Sequence, residues 1–146
     1  MQDSDPRQTH QLVLFDGHCH LCDGTVDWLL KRDRKGALTF APLQGTTAAG
    51  LRAAGLLPES QDSLIFVRHA RPETAAGTVL LHSSAVLAAG SQLGGPWRVL
   101  AAVARLVPPP LRDLVYRWIA RNRYRWFGRS ETCRIPSADE RERFLP

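Results

Sequence analysis

Long hydrophobic runs are missing from this sequence. No stretch approaches the roughly 18–20 consecutive apolar residues that a membrane-spanning helix needs. The opening segment, Met1 to Gln11, is polar and holds no apolar core of the kind a secretory signal carries. The expectation is a cytoplasmic protein. Cysteine is scarce as well: three in 146 residues are too few to staple a small secreted scaffold. There is no internal repeat and, beyond Pro108-Pro109-Pro110, no low-complexity tract. No phosphate-binding glycine loop, nucleotide fingerprint or Ser-His-Asp order is found. Charged residues at 23% and hydrophobic residues at 44% exclude a disordered tail or a fibre.

Acidic charge is short in one place only. Residues 112–134 hold seven arginines against Asp113 and Glu131, while the rest of the chain carries 12 residues of each sign. The whole net charge of +5 therefore resides in this one segment.

A length of 146 residues fits a single domain with a real core, taken here as 11–146 behind a polar lead-in at 1–10. Gln11 to Asp16 (QLVLFD) reads as a buried strand stopped by Gly17. Cys22, Val26, Leu29 and Leu30 then recur at helical spacing, with Asp27 and Lys31 paired at i, i+4 on the outside, and Gly36 ends the helix. Leu38 to Ala41 reads as a second strand and Thr46 to Gly55 as a second helix. Ser63 to His69 and Thr78 to His82 read as strands of a hairpin. Ser83 or Ser84 would cap a helix through Ala89. Pro96 suits the first turn of a helix that runs to Val107, where the triple proline breaks it. Another helix starts near Leu111, with Leu111, Leu114, Val115, Trp118 and Ile119 on one stripe, expected to pack inward. A last short helical turn, capped by Ser137, ends at Phe144. The order is β-α-β-α-β-β-α followed by appended C-terminal helices from about residue 96.

The chemistry centres on Asp16-Gly17-His18-Cys19-His20-Leu21-Cys22. A strand ends at Asp16 and a helix begins at about Cys22, so Cys19 stands at or just before a helix N-terminus. Free N–H groups and the helix dipole favour a thiolate there. A Cys-x-x-Cys in this setting reads as a redox pair, with Cys19 the exposed nucleophile and Cys22 the buried resolving thiol. His18 or His20, if protonated, would stabilise the thiolate, while Asp16 and Asp23 act oppositely. Asp16 would relay a proton to or from Cys22. Two other readings stay open: buried thiols without chemistry, and a zinc site drawn from His18, Cys19, His20, Cys22 and Cys133. No second half-site at zinc-finger spacing supports the latter.

The stretch "LVLFDGHCHLCDGTVDWLLKRD" resembles the opening of the DCC family of predicted thiol-disulfide oxidoreductases, which carry a D-G-x-C-x-x-C signature. The blocks "LTFAPLQ" (39–44 and the residue before), "GGPWRVL" (94–100), "PPPLRDLVYRWIARNRYRWFG" (108–128) and "CRIP" (133–136) resemble later parts of the same family, in the same order. The resemblance implies a thioredoxin-like fold with appended C-terminal helices, and Cys19 and Cys22 as the redox pair. Thioredoxin-like proteins usually carry a cis-proline just before the strand facing the cysteines; here Asp62-Ser63 stand in that place.

Cys133 lies between Arg129 and Arg134 and reads either as a third exchanging thiol or as a small packing residue. His10, His69 and His82 read as ordinary surface or satisfied histidines. Arginines alternate with Tyr116, Trp118, Tyr124, Trp126 and Phe127, a pattern that suits single-stranded nucleic acid, an anionic membrane surface or an acidic partner. Packing of that stripe, under arginine stems, is the simpler reading, and nucleic acid is not expected. The expected function is thiol-disulfide exchange with a disulfide-containing protein or a small thiol, served by an external reductant and no metal or organic cofactor. The alternative is a basic binding module with a structural or zinc-bound cysteine pair.

Overall fold

The structure is a computed structural model that describes residues 10–34, 36–58, 64–70, 78–129, 137–138 and 140–145. Strands β1 (His10–Phe15), β2 (Leu38–Pro42), β3 (Ile65–Ala70) and β4 (Thr78–Leu81) alternate with helices α1 (His20–Arg32), α2 (Thr46–Ala53) and α3 (His82–Ser91). Helices α4 (Gly95–Ala104) and α5 (Pro109–Phe127) follow, then a 3-10 turn at Arg141–Arg143. The four strands form one sheet in the order β2-β1-β3-β4, with β1 parallel to β2, and β3 antiparallel to both β1 and β4. This is the thioredoxin-like α/β arrangement that the element order implies.

Alternation along β1 divides the core. Val13 and Phe15 point to one face with Leu38, Phe40 and Phe66, where Val26 and Leu29 of α1 and Ala85, Ala88 and Ala89 of α3 cover them. Leu12 and Leu14 point to the other face with Ile65 and Val67, under Ala48 of α2 and Leu57. Each large apolar side chain so removed from water contributes about 1.5–3 kcal/mol before entropy is counted. The expected Asp27–Lys31 pair forms on the exposed side of α1 at 3.7 Å.

The end of the chain is stitched back to the sheet. Leu145 donates its N–H to the Phe40 carbonyl at 2.8 Å, and the Phe144 ring stacks on Phe40 with centroids 5.6 Å apart. Asp33, buried after α1, accepts the N–H groups of Ala37 (3.1 Å) and Leu38 (2.8 Å) and pairs with Arg143.

Three expectations change. Neither Ser83 nor Ser84 caps α3; the Ser83 hydroxyl donates instead to Asp113 of α5, and the helix starts at His82 with Leu81 as its N-cap residue. The triple proline does not stop α4, which ends at Ala104 rather than Val107; instead Pro109 lies in the first turn of α5, where a missing N–H costs nothing. The stripe of α5 does not pack inward: Leu111, Leu114, Val115 and Trp118 are all more than half exposed, with Leu114 at 61%. Periodicity identifies the apolar side of a helix but not whether the rest of the chain covers it, and α5 meets α3 and α1 with its other side. The place of Asp62-Ser63 and the side chains of His10 and His69 lie outside the described residues. His82 packs its ring 5.4 Å from that of Tyr116.

Phe40 is fully buried and holds both the sheet face and the returning C-terminus. Phe40→Ala is expected to lower stability by about 3–5 kcal/mol, measured as a shift in the urea unfolding midpoint at unchanged slope. A loss within experimental error would show that the Phe144 and Leu145 contacts do not close the core.

Candidate active site

The loop after β1 delivers Asp16 and Cys19 to the N-terminal end of α1. Cys19 is the N-cap residue, extended in backbone, and its Sγ accepts the Cys22 N–H at 3.4 Å in the way a capping serine oxygen would. Cys22 lies one turn in, on the buried side of α1. Both carry free thiols.

These surroundings split the two thiols. The Cys22 thiol hydrogen-bonds to Cys19, whose pKa falls to about 6 despite burial, helped by backbone N–H groups and by the Arg123 guanidinium. Cys22 is pushed up strongly, first by that same hydrogen bond, then by burial and by the charge on Cys19. One proton is thus held on Cys22 while Cys19 ionises.

Arg123 and Tyr124 come from α5, far along the chain, and are site residues that local sequence reading misses. The Asp16 carboxylate collects four donors: the His18 N–H at 3.0 Å and the Gln44 amide at 2.9 Å on Oδ1, Arg123 at 3.3 Å and the Tyr124 hydroxyl on Oδ2. Burial disfavours its charge, but Tyr124, the His18 N–H, Gln44 and Arg123 outweigh burial and hold Asp16 below the ordinary carboxylate range. Burial, then the bond to Asp16, raises Tyr124. A signal for this cluster did exist in the sequence: an aspartate at the end of a buried strand requires donors, and the arginine segment is where a cation was available.

Cys19 is 0% exposed, which corrects the expectation of an exposed nucleophile. Gly128, at φ 85°, ends α5 and turns the chain so that the Arg129 main chain pairs with Cys19 in an antiparallel bridge. Local sequence marks the helix N-terminus but not what lies across it. His20 is exposed, with its ring within 3.6 Å of the point a side chain at Gly128 would occupy. Arg123 supplies a positive charge that acts on Cys19. Among the described residues, no three His, Cys, Asp or Glu side chains converge as a metal site would require. Cys133 lies outside the described residues.

A strand–loop–helix with a polarised Cys-x-x-Cys at the helix N-terminus defines a thioredoxin-like protein with a dithiol centre. The family model for DCC1-like thiol-disulfide oxidoreductases matches residues 13–129, and the chain belongs to that family. It is similar to the uncharacterized protein YuxK of Bacillus subtilis (strain 168), 40% identical over 138 residues that span 94% of this chain and 95% of that protein. It is also similar to the chloroplastic DCC family protein At1g52590 of Arabidopsis thaliana, 32% identical over 125 residues, 85% of this chain and 69% of that one. No solved structure matches the chain at a significant level.

Iodoacetamide alkylation of Cys19 should follow a pH profile with its midpoint near 6. Arg123→Gln removes a positive charge that favours the thiolate, so the midpoint should move up. A midpoint near the ordinary thiol value of 9.0 in the unaltered protein would refute the assignment.

Proposed function

We propose that this protein exchanges disulfides through Cys19 and Cys22, acting on a disulfide-containing protein or a small-molecule disulfide. The observation that supports it best is the opposed ionisation of the two thiols, low at the helix N-terminus and high one turn inside. In the reductive direction the Cys19 thiolate attacks one substrate sulfur and forms a mixed disulfide, and the other substrate sulfur leaves as a thiolate. Cys22 then gives up its proton and attacks Cys19 Sγ. The Cys19–Cys22 disulfide closes, the second substrate thiolate leaves, and two electrons have passed to the substrate. A dithiol reductant returns the pair to its starting state. Run backwards, the same steps oxidise a dithiol. A thiolate favoured at neutral pH stabilises the reduced pair and so shifts the balance towards that oxidising direction.

Asp16 is assigned a positioning role. The hydrogen bond to Cys19, burial and the Cys19 charge hold the proton on Cys22, and the Asp16 charge adds to them. The bond from His18 to Asp16 also fixes the loop that aims Cys19. Attack further requires that the Gly128–Arg129 segment uncover Cys19.

Cys19→Ser should abolish turnover of a disulfide substrate in the presence of dithiothreitol. Cys22→Ser should stop the reaction at the mixed disulfide, seen as one substrate adduct per chain by mass spectrometry. Differential alkylation across a glutathione redox series should show Cys19 and Cys22 oxidised together. If they never pair, the oxidoreductase reading fails.

A further inference from the structure

Helix α5 is oriented inside out. Asp113, Tyr116, Arg123 and Tyr124 share one side at helical spacing, and each meets the domain: Asp113 the Ser83 hydroxyl, Tyr116 the Leu64 N–H at 3.0 Å, Arg123 and Tyr124 the Asp16 carboxylate. The apolar side, Leu111, Leu114, Val115, Trp118 and Trp126, is exposed. Helix α4 and the turn after it repeat the pattern: Ala101 is buried, whereas Val99, Leu100, Val103, Leu106 and Val107 are exposed, Leu106 at 83%. Scattered exposed leucines are ordinary, but stripes continued over two successive helices mark a surface made for contact.

Charge selects among the occupants. Residues 95–127 hold seven arginines and a single acid, Asp113, which is engaged by Ser83. Arg98, Arg105, Arg117, Arg121 and Arg125 are exposed. A second copy would bring the same unbalanced cations against these, so self-association is disfavoured. Single-stranded nucleic acid would answer the charge but offers no apolar phase for the valines and leucines. An anionic bilayer answers both demands. Aliphatic side chains enter the acyl boundary, arginine stems lie along it with their heads among lipid phosphates, and exposed indoles prefer that depth. Trp118 and Trp126 meet edge to face at 4.9 Å near the arginine-rich end. No helix among the described residues is long and apolar enough to cross a membrane, so the contact is peripheral.

We propose that the exposed apolar stripes of α4 and α5, with their flanking arginines, dock this protein on the surface of an anionic lipid bilayer. The docking is independent of the thiol chemistry and survives loss of either cysteine.

The test is flotation of the full chain, kept reduced, with vesicles of phosphatidylcholine and phosphatidylglycerol, against vesicles of phosphatidylcholine alone. The expected result is flotation with the anionic vesicles, weakened by salt, and a blue shift in tryptophan emission. Leu106→Ser with Leu114→Ser changes only exposed positions and should abolish the shift, while circular dichroism and the Cys19 alkylation profile stay unaltered. The triple variant R117Q/R121Q/R125Q should partition on the order of a hundredfold more weakly. The proposal is overturned if the protein ignores anionic vesicles, or if binding is indifferent to both sets of substitutions. It is likewise overturned by a solution dimer that the serine substitutions dissolve, or by polyglutamate or a single-stranded oligonucleotide being bound in preference to the vesicles.

Discussion

The buried pair between Asp16 and Arg123 is the contact on which the site depends. Both side chains are 4% exposed, and their residues are 107 positions apart in sequence. Removing such ions from water costs several kcal/mol each, and only good geometry with further hydrogen bonds offsets it. Asp16 meets that condition with its four donors. A pair of this kind adds little to net stability but is costly to break on one side, about 3–5 kcal/mol, because the survivor stays buried and charged. It therefore specifies an arrangement: the end of β1, the cysteine loop and α5 are held in one relation.

The orientation of α5 follows. To bring Arg123 and Tyr124 to Asp16, the helix must turn its polar side inward, and Tyr116 and Asp113, on the same side, find the Leu64 N–H and Ser83. The apolar stripe is then directed outward by geometry rather than left over. In an ordinary amphipathic helix hydrophobic burial sets the rotation; here a buried charge sets it. The same rotation carries Gly128 and Arg129 across Cys19.

Much of the fold was legible because it rests on local signals. The apolar run before Gly17 and the 0, 4, 7, 8 spacing from Cys22 fall where β1 and α1 do, although α1 ends at Arg32, ahead of the expected stop at Gly36. Cys19 at the N-cap was legible for the same reason. What was not legible is long-range. Nothing near Asp16 names Arg123 or Tyr124, and nothing near Cys19 says that Arg129 pairs with it. The error over the α5 stripe has the same origin. Periodicity separates two sides of a helix, and the assumption that the apolar one faces inward fails when a buried carboxylate competes for the helix. Closeness in sequence to the cysteines suggests a proton relay for Asp16; the donors that surround its carboxylate, Gln44, Arg123 and Tyr124 among them, come from distant parts of the chain.

The electrostatics tie the thiol centre to α5 in a way that depends on pH. Asp16 is depressed below its unfolded value, so its contribution to stability is present above the ordinary carboxylate range and lost as pH falls through the lowered value. Cys19 has the same sign: its contribution is complete above the ordinary thiol value of 9.0 and gone once pH has fallen through about 6. Arg123 stays charged throughout. Between those limits, raising pH strengthens the attraction of Arg123 for the cysteine loop, and acidification weakens it in two steps, the thiolate first and the carboxylate after. Oxidation to a Cys19–Cys22 disulfide removes the thiolate as well, at any pH, and leaves Asp16 as the anion that holds the guanidinium. The redox state of the pair therefore bears on how firmly α5, and with it the segment across Cys19, is held.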